Sequence, residues 1–119
     1  MDSGGVGREE LIAEVRRFLV RVGVPEAIFF GSRERGDFRP HSDLNLLLIS
    51  ESFAGQPLPV LLRRLHEAWH ADVLLEMLPV TPEELEDMKS WNRLCQEALE
   101  RGVRITVDLG PQAEGDRDE

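Results

Sequence analysis

Two short groups of residues carry the chemistry open to this chain. Gly31-Ser32-Arg33-Glu34-Arg35-Gly36 closes one apolar run, and Asp43-Leu44-Asn45 opens the next. Gly31 lets the backbone turn sharply and approach a ligand closely. Ser32 and the amides after it would stand at a helix N-terminus, where N–H groups and the helix dipole favour phosphate. Residues two apart on a strand project to one face, so Asp43 and Asn45 point the same way. Asp72, near the start of a third apolar run, can join them from a neighbouring strand. Three convergent oxygen donors suit a hard cation such as Mg2+. Taken singly, Gly-Ser is an ordinary tight turn and Ser42-Asp43 an ordinary loop-to-strand junction. Their combination suits a nucleoside triphosphate held through its phosphates and a metal.

Asn45 stands where a two-metal site would want a second carboxylate. Two divalent ions about 4 Å apart repel by roughly 17 kcal/mol at an effective dielectric near 20. Bridging carboxylates and phosphates must offset that repulsion, and a neutral amide removes one charge from between the ions. One metal arriving with a nucleotide is compatible with Asn45, whereas a two-metal state is strongly disfavoured. Asn has nearly the shape of Asp, so the fold is indifferent to the exchange. Glu76 shares a strand face with Asp72 but stands further along, and Asp37 lies in a loop. Neither is expected to substitute, because a metal bridge needs accurate geometry.

Other motifs have plainer readings. His66-Glu67-Ala68-Trp69-His70 is literally H-E-x-x-H on a predicted helix, the zinc-protease pattern. The helix ends at His70 and no third ligand is evident, so the histidines read as solvated flanks of an apolar stripe. Arg33, Arg35 and Arg39 form a small basic cluster that suits an anion or pairs with Glu34 and Asp37. His41 is a loop residue. Cys95 falls at a helix core position and reads as buried.

The elements that position these residues follow from periodicity. Leu11, Val15, Phe18, Leu19 and Val22 recur at helical spacing, which predicts a helix over Arg8 to Val22 that Gly23 caps and Pro25 blocks. Ala27 to Phe30 reads as a buried strand stopped by Gly31, Ser32 to Gly36 as a turn or one helical turn, and Asp37 to Ser42 as a loop. Leu44 to Ile49 is nearly all apolar, as a strand covered on both faces would be. A helix is expected from about Leu58 to Trp69 and a third strand over Ala71 to Met77. Thr81-Pro82-Glu83-Glu84 is a helix start with a capping box. From it one helix should carry Leu85, Met88, Trp91, Leu94, Cys95, Ala98 and Leu99 inward as far as Gly102. Val103 to Val107 reads as a last, short strand. Strands alternating with helices predict an α/β (α+β) domain.

Composition sets outer bounds. The chain has 119 residues, a formal net charge of -9 and a sequence pI near 4.8, which fit one acidic domain with its own core. Such a surface repels bulk nucleic acid. A lone cysteine, Cys95, forbids an internal disulfide and suits a reducing cytoplasm. No run is long and apolar enough to span a membrane, and the polar start carrying Asp2, Glu9 and Glu10 is unlike a signal peptide.

The stretch from Gly31 to Leu46 resembles the minimal nucleotidyltransferase (MNT-type) domain of the DNA polymerase β-like superfamily. The family pattern is Gly-Ser, a short variable run with Arg and Gly, then Asp-x-Asp. The order of surrounding elements matches as well, so the resemblance covers about residues 8–107, with 1–7 and 108–119 expected as flexible tails. It implies a small mixed sheet of about four strands with helices packed on one side. It also implies nucleotide contacts from Gly31, Ser32 and Arg35 and metal ligation by Asp43, Asn45 and Asp72. Asp43 and Asp72 would be catalytic, with Mg2+ as cofactor and transfer of a nucleotidyl group to a hydroxyl as the reaction. Family members this small commonly act beside a small helical (HEPN-type) partner in toxin–antitoxin pairs, and some modify a hydroxyl of that partner. The chain contains no tyrosine, so it offers no tyrosine acceptor of its own. A homodimer is as compatible with the pattern as a partner-bound module, and the alternative function is a catalytically degenerate binding module, such as the antitoxin-like partner of a small helical (HEPN-type) protein.

Overall fold

The structure is a computed structural model that describes residues 8–31, 44–71 and 75–109. In chain order the elements are α1 (Arg8–Val22), β1 (Glu26–Gly31), β2 (Leu44–Ile49) and a short 3-10 turn (Glu51–Phe53). After these come α2 (Leu58–Ala68), β3 (Leu75–Val80), α3 (Pro82–Met88), α4 (Arg93–Arg101) and β4 (Val103–Thr106). The strands form one mixed sheet in the order β3-β2-β1-β4. β1 is antiparallel to both β2 and β4, while β2 and β3 run parallel. The expected α+β class and four-stranded mixed sheet are both present.

The sheet is covered on two faces, not one, which corrects the expected one-sided packing of the helices. Ala27, Phe29, Leu44, Leu46 and Leu48 pack with Leu11, Val15, Phe18 and Leu19 of α1 and Leu61 and Leu65 of α2. Ile28, Phe30, Leu47 and Ile49 point the other way, onto Cys95 and Ala98 of α4 and Leu85 and Met88 of α3. The cause is visible in β1 and β2 themselves. Their apolar residues are nearly continuous, so both sides of each strand need cover. Each fully buried Leu or Phe side chain favours the folded state by about 1.5–3 kcal/mol relative to exposure. Two arginines tie α1 to its surroundings: Arg16 donates to the carbonyl of Thr106 on edge strand β4 at 3.0 Å, and Arg21 donates to the last helical carbonyl of α2, at Ala68, at 2.6 Å.

Two sequence expectations are revised here. β3 runs from Leu75 to Val80, shifted from the expected Ala71 to Met77. Pro79 lies within this strand and is harmless there, because β3 is at the sheet's edge. Ser50 donates its N–H to the Val80 carbonyl, and bonding residues alternate along a parallel ladder, so Pro79 turns its missing N–H toward the free edge. The second revision is the break between α3 and α4. Thr81 and Glu84 form the capping box as expected, with mutual bonds of 2.9 and 3.0 Å. The helix then stops at Met88 and restarts at Arg93, because the Asn92 side chain caps the new helix by accepting from the Cys95 N–H at 3.0 Å. Trp91 therefore lies in the connecting turn, 62% exposed with its indole N–H on Asp87, and Leu94 and Leu99 are 43% and 41% exposed. Only part of the expected stripe points inward.

Candidate functional site

Register places the ends of three strands in one row. Gly31 of β1 is opposite Leu44 of β2, and Leu44 is beside Leu75 of β3. Ser32 follows Gly31 in the chain and Asp43 precedes Leu44, so both segments of interest leave from this row. Gly31 itself has φ 138°, a backbone state that L side chains rarely adopt. A side chain at this last residue of β1 would be strained, which accounts for the residue type there.

The next row inward is Phe30, Asn45 and Glu76. In-register neighbours share a face, and this is the face that carries Leu47 and Ile49 toward α3 and α4. Phe30 is buried, Asn45 is half-buried and Glu76 is exposed. Asn45 thus reaches the site end of the sheet from its first full turn of pleat, with an apolar ring on one side and a carboxylate on the other. Ser32, Arg35, Asp43 and Asp72 lie outside the described residues, as do Arg33, Asp37, Arg39 and His41. Of the predicted site residues, Gly31 stands in the row of strand ends and Asn45 one row further in, beside Glu76. Among the described residues no group of three or more His, Cys, Asp and Glu is placed to hold a metal.

The sequence model of a family described as "Nucleotidyltransferase domain" matches residues 9–105. The chain belongs to this nucleotidyltransferase domain family. The match begins in α1 and ends in β4, so it takes in β1, β2 and β3 whole and all of β4 but its last residue. No curated protein and no solved structure matches the chain.

Glu76 stands beside Asn45 in this register, a neighbourhood that sequence reasoning did not assign. The expectation that it shares a face with Asp72 lies outside the described residues. The position of Glu76 depended on where β3 begins and on how it aligns with β2, and only the observed register supplies both. The H-E-x-x-H pattern has no metal geometry. α2 ends at Ala68, so His70 lies beyond the helix, and exposed His66 places Nδ1 2.9 Å from the Leu62 carbonyl. Cys95 is fully buried, and burial pushes its thiol pKa up, away from the reactive thiolate. Among the described residues no helix is long and apolar enough to cross a membrane.

Proposed function

We propose that the chain binds a nucleoside triphosphate with Mg2+ at the strand ends around Gly31 and Asn45, and transfers its nucleotidyl group to a hydroxyl of a small helical partner protein, the α–β phosphoanhydride breaking and pyrophosphate leaving. The family match supports nucleotidyl transfer in general. The observation that supports the finer reading is the register row, which sets Gly31 opposite Leu44, the residue that follows Asp43 in the chain. The donor set fits Mg2+. The Asn45 amide and the Glu76 carboxylate are hard oxygen donors on adjacent strands, and no soft ligand is near them in the row. Asp43, Asn45 and Asp72 would hold the metal, with Glu76 beside them, and the bound ion would neutralise phosphate charge. Ser32 and the backbone after Gly31 would grip the phosphates, Arg35 would add charge, and Asp72 would orient the attacking hydroxyl and take its proton.

Asn45 favours a second reading, a catalytically degenerate module that binds nucleotide or partner and transfers nothing. Titration calorimetry with the four ribonucleoside triphosphates and Mg2+ tests the binding step. Ser32→Ala should weaken binding by ~1 kcal/mol, roughly fivefold. No heat with any of the four would remove the nucleotide reading. Binding without transfer, and with transfer appearing only in Asn45→Asp, would select the degenerate module.

A further inference from the structure

We propose that the groove between α2 and α3, along the free edge of β3, docks a basic amphipathic helix of a partner protein. The groove has a volume of about 620 Å³, room for several side chains. Its floor is apolar, made by Leu58 and Leu61 of α2, Leu78 and Val80 of β3 and Met88 of α3. Leu58 stands in the first turn of α2 with 50% of its surface in water, though Leu61 one turn on is buried. The rim is acidic. Glu83, Glu84 and Asp87 of α3 line one wall, and a contiguous hollow beyond Thr81 and Pro82 adds Glu51. Among the described residues lining the two, none is basic.

Three observations select the occupant. The free edge beside the groove carries Pro79, which offers no N–H outward, so an added strand would lack a ladder bond at the centre of the groove. A helix needs no bond from that edge and lays an apolar stripe into a floor of this kind. The acidic rim then calls for lysine or arginine beside the stripe. A second copy of this chain is disfavoured by the same rim, since the net charge is -9. The groove lies at the C-terminal end of β3, whereas the nucleotide site is proposed at its N-terminal end. Docking therefore stands independently of nucleotidyl transfer.

The test uses the whole chain and a fluorescein-labelled helical peptide of leucine and lysine, with leucines at helical spacing. Fluorescence anisotropy follows binding at low and moderate salt. Leu58→Asp adds a negative charge at a helix N-terminus, where it does not cost helix stability. It should nevertheless weaken binding by roughly tenfold, because it spoils the apolar floor. The pair Glu83→Lys with Asp87→Lys should weaken it by a similar factor, roughly tenfold, while the pair Glu97→Lys with Glu100→Lys on the outer face of α4 should change it by less than about twofold. Circular dichroism confirms that each variant folds, and the charge pairs decide the matter if Leu58→Asp does not. Equal or tighter binding by Leu58→Asp, or equal loss from both charge pairs, would show mere attraction to an acidic surface and overturn the proposal. Sedimentation of the wild type as a dimer that Leu58→Asp dissociates would assign the groove to a second copy and overturn it equally.

Discussion

Replacing Asn45 by aspartate places a second carboxylate directly beside Glu76, because the two positions are in register on adjacent parallel strands. Neighbouring strands lie about 4.8 Å apart. Two unit charges at about 5 Å repel by ~0.8 kcal/mol in bulk water and by ~3 kcal/mol at an effective dielectric of 20. Glu76 is exposed and Asn45 half-buried, so screening puts the penalty near the lower figure, ~1 kcal/mol. The carboxylate introduced at position 45 then holds its proton to higher pH in the folded state than in the unfolded chain. A raised acid pKa on folding means that stability is lost as pH climbs through the carboxylate range and is regained below it. Asn45→Asp should therefore match the wild type in urea unfolding at about pH 3, below the ordinary carboxylate range, and fall short by ~1 kcal/mol at pH 7 and low salt. Adding Glu76→Gln should remove most of the deficit, and Mg2+ should remove it too if the pair binds the ion. A deficit at pH 7 that survives Glu76→Gln, or no deficit at all, would refute the shared face of Asn45 and Glu76.

Three further outcomes follow from local structure. Thr81→Ala deletes the acceptor of the Glu84 N–H and should cost ~1 kcal/mol in chemical denaturation, with Thr81→Ser largely restoring it. Gly102→Ala should cost ~1–3 kcal/mol in the same assay, because an added methyl would run into the Ile28 side chain and the Ala98 carbonyl. Cys95 should react with a thiol reagent at pH 8 only as fast as the protein opens, since its thiol is buried and its pKa raised; urea should accelerate labelling sharply, and rapid labelling of the native protein would contradict the burial.

Much of the frame is legible in the sequence because local rules decide it. α1 and β2 keep the bounds that their apolar spacing predicts, and the Thr81 capping box forms as four residue types dictate. The misses arise where a partner decides. Trp91 satisfies helical periodicity, yet Asn92 can bond the backbone better than a continuous helix would, and the chain breaks there. Pro79 is acceptable in β3 only because the strand is at an edge, a property of the assembled sheet. For the site, Gly31 and Asn45 could be chosen from type and spacing, while Glu76 required the alignment of two strands separated by α2. Ser32, Arg35, Asp43 and Asp72 lie outside the described residues and rest on the sequence pattern.

The pairing of β1 with β4 sets an order for folding during synthesis. Glu26 meets Thr106 and Phe29 meets Val103, so a strand made early finds its second neighbour only when nearly all of the domain has left the ribosome. Until then β1 has one open edge, and β2, α2 and β3 can assemble on its other side first. Non-local pairings of this kind slow folding, and an unpaired apolar strand edge invites a neighbouring chain. A chain cut before Val103 would keep that edge open permanently. Its expected failure is association through β1 with other nascent copies, so the few residues of β4 act as a cover that ends the exposure of Ile28 and Phe29.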